Sequence, residues 1–297
     1  HLQRRFFESV SLWPTETPPQ LDHSVHILSV PGENREAREI GRLIFDLVRE
    51  RGLHFADIAV ALPDPVTYGP LFRETFAEWG IPCAAMPPRA LLHTQAGQAV
   101  RLLCQMLVED FSRARVFEFL SVARPPFAEL LGELAFHAQP ARWDTLSLQA
   151  GIARGANEWR ERLARLMTTV EQNTSTDSDA AAATEPHILQ ALVLFMERFI
   201  TDAQLLPAHN SWPSWAEQTL RLFTTYSSPS PLRDQVCDLF ARLRQLTMLT
   251  ESLSLREWNT ALTEVLLTTP EVTEPDPRPG VFVSDLATVA GLPFRTV

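Results

Sequence analysis

From Val25 to Met86 the chain alternates short β-prone apolar runs with amphipathic stretches of helical period, and few folds accept that alternation. Val25-His26-Ile27-Leu28-Ser29-Val30 reads as a strand that stops at Pro31-Gly32. A helix follows over residues 34–51. Ala37, Ile40, Ile44, Leu47 and Val48 recur on one face, and Glu36, Arg38, Glu39, Arg42, Asp46 and Arg49 fill the other. Gly52 sits where a helix terminates in left-handed backbone. Ile58-Ala59-Val60-Ala61-Leu62 is apolar throughout, the mark of a strand covered on both faces. Leu71, Phe72, Thr75, Phe76 and Trp79 give a second helix, closed by Gly80, and residues 81–86 give a third strand. Strand–helix–strand–helix–strand implies a parallel sheet with right-handed crossovers.

The middle of the chain breaks this rhythm. From about residue 91 to residue 269 the apolar period is helical, over 95–109, 114–122, 157–170, 187–205, 214–226, 232–249 and 255–267. Residues 173–185 mix Thr, Ser and Asp with four alanines and read as a loop. No regular repeat occurs. Pro275, Pro277, Pro279 and Gly280 then make a stiff linker. Val281-Phe282-Val283 is a strand, and Phe294 to Val297 begins another. The expected organisation is a lead-in over residues 1–24 and one α/β domain from residues 25–90 and 276–297. Residues 91–275 would be an all-α insertion large enough to be its own domain.

All 26 basic residues are arginine; the chain contains no lysine. A phosphate-binding loop needs the lysine of GxxxxGK[ST], and a planar guanidinium does not replace it readily. Schiff-base chemistry is excluded on the same ground, and a restriction-type nuclease core, which usually uses lysine, is not expected here. The formal net charge of −10 does not advertise nucleic-acid binding. Cys83, Cys104 and Cys237 are odd in number and scattered, which argues against disulfides and zinc and for a reducing, cytoplasmic setting. No apolar run reaches the roughly 18 residues of a membrane span. The missing initiator Met and the stop at Val297 inside a β-prone run are read as those of an excised piece.

No catalytic or metal site is expected. HExxH, CxxC and GxSxG strings are absent, and the eight histidines are dispersed. Acidic pairs such as Glu36/Glu39 and Glu109/Asp110 suit a solvated helix face. Trp79, Trp159, Trp215 and Trp258 fall at apolar helical positions, so core packing outweighs base stacking. Trp212-Pro213-Ser214-Trp215 reads as a helix entry with Ser214 as its cap. The stretch from Gly280 to Val297 stands out as strand, polar turn, Gly-Leu pair and new strand. Polar loops at the carboxyl ends of parallel strands are where open α/β sheets bind ligands, although Asp285 is as well suited to capping a short helix.

That stretch resembles motif V of the UvrD/Rep-like superfamily 1 helicases, T-x-H-x-x-K-G-L-E-F. Gly291-Leu292-Pro293-Phe294 stands in place of GLEF, with Asp285, Ala287, Ala290 and Pro293 at the family's Thr, His, Lys and Glu. This degenerate form is more similar to the AddB-type subunit of helicase–nuclease complexes. Pro31-Gly32-Glu33-Asn34-Arg35-Glu36-Ala37 resembles the E-x-E-A helix that opens the family's second motor domain. Asp57 to Leu62 resembles its D-I-A-V-L strand, and Trp79-Gly80-Ile81-Pro82 its x-G-I-P turn. Trp143 and the stretch Trp159 to Leu163 are similar to the AddB-like insertion.

The resemblance implies a RecA-like second motor domain carrying a helical insertion, from a protein that processes DNA ends with a partner subunit. ATP with Mg, and an iron–sulfur cluster beside a nuclease, would belong to other parts of the parent; this fragment would hold no cofactor. It also implies DNA-backbone contacts at Asp285, Thr288 and the Gly291 amide, with Arg35, Arg38 and Arg89 as further phosphate contacts. Replacement of His, Lys and Glu by Ala287, Ala290 and Pro293 puts coupling to nucleotide in doubt. Three roles stay open: a non-catalytic module of an AddB-type complex, the second motor domain of an active UvrD-type helicase, and a helical protein-binding scaffold without DNA contact.

Overall fold

The computed structural model describes residues 25–174, 180–246, 252–272 and 279–297. The lead-in over residues 1–24, and Pro275 and Pro277 of the linker, lie outside the described residues. The chain is mostly helical around a small parallel sheet. In chain order the first elements are α1 (Glu33–Arg51), β1 (Ala59–Leu62), α2 (Pro65–Trp79) and β2 (Cys83–Ala85). The helical part comprises α3 (Gln95–Val108), α4 (Arg113–Ala123), α5 (Phe127–Leu131), α6 (Pro140–Gln149), α7 (Ala156–Thr174), α8 (Ala180–Gln204), α9 (Trp212–Tyr226), α10 (Pro231–Leu243) and α11 (Leu255–Thr268). It also holds two short antiparallel strands, β3 (His209–Ser211) and β4 (Ser252–Ser254). The chain then returns as β5 (Val281–Asp285) and the single turn α12 (Leu286–Val289).

The sheet has the order β1–β5–β2, with both pairings parallel. β5 thus enters between two strands that precede it by the whole helical part. Gly280 allows that entry: a Cβ there would lie 2.5 Å from the Pro82 carbonyl oxygen. Val281 and Val283 point into the core at 0% and 1% exposure, as the two-residue strand period requires. They meet Ile58, Val60 and Leu62 of the β1 segment, Ala37 and Ile44 of α1, and Phe72 and Phe76 of α2.

Local signals in the sequence account for these elements. Gly52 and Gly80 take left-handed backbone at φ 65° and 66°, and their N–H groups close α1 and α2 on the Leu47 and Phe76 carbonyls. Gly41 lets the two helices approach, its absent Cβ facing the Trp79 ring at 3.0 Å. Residues 25–30 do not form the expected strand. They are extended without a sheet partner, and Ile27 is 95% exposed. β propensity makes a strand only where a neighbour takes the backbone groups, and β1 is already flanked by β5 and, through a bridge from Ile58, by Thr296.

The helical part has its own core. Trp143, Trp159, Trp215 and Trp258 are fully buried there, and each indole N–H is bonded, to the Ile188, Phe111 and Leu253 carbonyls and the Thr219 hydroxyl respectively. Phe195, Phe199 and Tyr226 stack between them. The tryptophans therefore pack; none of these four offers a face to a nucleic-acid base. The expected loop over residues 173–185 is shorter than read, because α7 runs to Thr174 and α8 begins at Ala180, within the alanine run that best favours helix. α9 starts at Trp212 behind Ser211, two residues before the expected cap Ser214. No helix among the described residues is long and apolar enough to cross a membrane.

Candidate functional site at the carboxyl edge of the sheet

β1 and β5 are neighbours in parallel register, Leu62 opposite Asp285, so both release their chains on one edge of the sheet. Each ends in the same local device. After β1, Asp64 accepts from the Val66 and Thr67 amides at 3.0 and 3.3 Å and from the Thr67 hydroxyl at 2.6 Å. After β5, Asp285 accepts from the Thr288 amide at 2.8 Å and from its hydroxyl at 2.6 Å. The shared pattern is Asp-x-x-Thr, which caps α2 in the first case and α12 in the second. The threonine hydroxyl bond, followed by the amide bond, lowers both carboxyl pKa values from the ordinary aspartate range. Both side chains are therefore held as anions on the edge where such sheets receive ligands.

This arrangement fixes what each candidate residue can offer. Asp285 caps a short helix, the use its type and position suggested. Thr288 is exposed, but its amide and hydroxyl protons both point at Asp285, so it presents only oxygen lone pairs outward. Gly291 adopts φ +86° with no atom within 4 Å of a notional Cβ, so its backbone is open to approach. Arg35 lies exposed in the first turn of α1. One residue on, Glu36 accepts from the Tyr68 hydroxyl at 3.0 Å, which ties the start of α1 to the start of α2. Arg38 is on the same helix but donates to Glu78 at 2.8 Å, with both side chains about half exposed. Asp64 and Thr67 were not singled out from the sequence. The signal that finds them is the repeat of Asp-x-x-Thr directly after two β-prone runs.

Arg89 is placed elsewhere, at the junction of the sheet with the helical part. Here the chain crosses twice, and the crossing segments pair: the Leu91 amide donates to the Thr269 carbonyl and the Glu271 amide to the Arg89 carbonyl, both at 2.8 Å. Glu271 is buried, its side chain only 3% exposed. Arg89 Nε donates to Glu271 Oε2 at 2.8 Å. Arg73 of α2 approaches Oε1 at 3.4 Å without forming a hydrogen bond, and donates instead to the Pro87 carbonyl. The clamp therefore leans on Arg89, whose guanidinium is engaged within the fold. Among the described residues no group of three His, Cys, Asp or Glu side chains is placed to hold a metal ion.

No family model matches the chain. Curated relatives do. The chain is 31% identical over 121 residues to AddB, the ATP-dependent helicase/deoxyribonuclease subunit of that name, from Symbiobacterium thermophilum, a stretch covering 40% of this chain and 10% of that protein. It is 29% identical over 130 residues to AddB from Pelotomaculum thermopropionicum, covering 43% and 11%. For AddB from Heliobacterium modesticaldum the figures are 26% over 172 residues, 56% and 13%. The matched stretches thus span about a tenth of the length of these relatives. Over the part that matches, the chain is AddB-like, similar to one portion of the AddB proteins of ATP-dependent helicase/deoxyribonucleases.

Proposed function

We propose that this chain is the second, RecA-like motor-type domain of an AddB-like subunit, and that it serves DNA double-strand-break end processing by DNA contact or scaffolding rather than by catalysis. In this reading residues 25–90 and 276–297 form the α/β domain and residues 91–275 the inserted helical domain. The observation that carries it is the insertion of β5 between β1 and β2, with the motif-V-like stretch Asp285 to Phe294 issuing from its carboxyl end. The separate hydrophobic clusters of the sheet and the helical part support the division. The lack of lysine supports a non-catalytic role, since the chain has no phosphate-binding loop of the GxxxxGK[ST] type. Nucleotide with Mg, and any iron–sulfur cluster, would then be held by other parts of a longer protein, as would the surface for a helicase–nuclease partner subunit.

Contact with DNA would run through the exposed Arg35 and the open Gly291 backbone, beside the capped Asp285 and Thr288. Anisotropy of a labelled single-stranded oligonucleotide, titrated with the chain from about 50 to 200 mM salt, tests this. The expected result is binding whose log–log salt slope is near −0.7 for each phosphate neutralised, and shallower for Arg35→Ala. Absence of salt-dependent binding would leave the protein-binding scaffold in its place, a reading that the net charge of −10 favours.

A further inference from the structure

We infer a phosphate-binding cleft in the helical part, formed by Arg154 and Arg256 around Asn259 and suited to a nucleotide. The cleft encloses about 810 Å³ between the end of α3, the turn at Asp110, the loop before α7 and the start of α11. That volume matches a small-molecule site. What marks it is a local imbalance of charge in an acidic chain. Every carboxylate around it is already engaged. Glu109 accepts from Gln105, Ser112 and Arg115. Asp110 accepts from the Ala156 amide at the start of α7. Glu158 accepts from the Ala153 and Arg154 amides and pairs with Arg162. Glu257 turns back onto Ser254 in a capping box. Among the described residues, neither the Arg154 nor the Arg256 guanidinium has a carboxylate within 4 Å, so the cleft's unbalanced charge is positive.

Three further features point to a bound group. Arg154 is presented by a braced loop: the Arg113 amide donates to Ala153 and the Gly155 amide to Asp110, at 2.9 and 2.7 Å. The guanidinium is thus held out by backbone that is itself fixed. Arg256 sits in the first turn of α11, where the helix dipole disfavours a cation and favours an anion beside it. Asn259 Oδ1 is buried with no donor. Two guanidiniums seek an anion while a buried acceptor seeks an N–H or O–H, and Thr260 lines the same wall. A phosphate joined to a base or sugar satisfies both, as a free mononucleotide or as one unit of a single strand. The mononucleotide form of the inference does not depend on DNA contact at the sheet edge.

Calorimetric titration of the chain with deoxyadenosine monophosphate, and anisotropy with labelled oligo(dT), test it. Arg154→Ala and Arg256→Ala should each weaken binding of the occupying probe on the order of ten-fold, and Arg154→Lys should restore part of it. Asn259→Ala should weaken the nucleotide but leave inorganic phosphate unchanged. Both arginines are exposed, so unchanged thermal melting of these variants separates lost binding from misfolding. Loss of oligonucleotide binding alone assigns the cleft to a single strand. Loss of mononucleotide binding without any oligonucleotide binding assigns it to a free nucleotide and removes the DNA reading. Wild-type and doubly substituted chains that bind both probes equally, or bind neither at about 10 mM, a concentration well above the millimolar range of weak binding, overturn the cleft. Oligonucleotide binding lost in Arg35→Ala but kept in the double variant overturns it while sparing the sheet edge.

Discussion

Replacing Glu271 should loosen the junction between the sheet and the helical part more than any exposed ion pair would. The carboxylate is 3% exposed, whereas its partners Arg73 and Arg89 are 30% and 34% exposed. Breaking a fully buried pair costs about 3–5 kcal/mol and an exposed one about 0–1. When Glu271→Ala removes the buried member, the two half-buried guanidiniums regain water, so the cost falls between, at about 2–3 kcal/mol. Glu271→Gln keeps an acceptor for Arg89 Nε and should cost about 1–2 kcal/mol. Native-state hydrogen exchange reads this directly, because the Leu91 and Glu271 amides bridge the two crossing segments. In Glu271→Ala those amides should exchange roughly 30–150-fold faster if they open locally, a factor of ten for each 1.4 kcal/mol. Amides inside β1 should change less. Unchanged exchange at Leu91 and Glu271, or an Arg89→Ala/Glu271→Ala double variant whose effects simply add, would refute the clamp.

Other substitutions follow from single contacts. Trp159→Ala should cost about 3–5 kcal/mol in urea denaturation, and Trp159→Phe about 1–3 kcal/mol, because the latter chiefly orphans the buried Phe111 carbonyl. That carbonyl belongs to a residue at φ 53°, so near-ultraviolet dichroism should show the turn relaxing as well. Gly97→Ala should displace the turn over residues 91–93, since the new Cβ would meet the Leu91 carbonyl oxygen at 1.9 Å; a melting temperature within error of wild type would contradict it. Asp64 and Asp285 both have lowered folded-state pKa values. Their contribution is present above the unfolded aspartate pKa of about 4 and is lost as pH falls through the lower folded value. The difference in urea midpoint between wild type and Asp285→Asn should therefore shrink below about pH 4, measured as a pH series of denaturation curves.

How far the sequence disclosed this structure differs from place to place, for physical reasons. α1 and α2 were legible because their period, glycine stops and apolar faces are local properties. β1 and β5 were legible because strands buried on both faces read as unbroken apolar runs. Residues 25–30 carry the same kind of run and stay unpaired, because pairing depends on what occupies the neighbouring edge and not on the run itself. β3 and β4 are three residues each, too short to show a period, and Ser211 and Ser252 meet only because the helices around them pack. α5 and α6 were missed for the same shortness. At the candidate edge, Asp285 was read as a cap candidate, but its twin Asp64 became visible only when the register set Leu62 beside Asp285. Arg89 looked like a free cation because its partner Glu271 is remote in sequence.

The place of β5 also sets an order of assembly. Ala59 pairs with Phe282, so this contact closes a loop of about 220 residues. A chain emerging from synthesis presents β1 and β2 long before the strand that must separate them exists. Until it arrives, the two strands have no neighbour on their facing edges, and the apolar faces of α1 and α2 cover an unfinished sheet. The helical part, rich in local contacts, can form in the meantime, and by forming it draws residues 91 and 269 together. The long loop is then closed by a folded body rather than by a search of free chain, which reduces the entropy left to lose when β5 inserts. The helical part thus acts as a timer and a template for the sheet: destabilising its tryptophan core should slow sheet closure even though none of those side chains belongs to the sheet's own core.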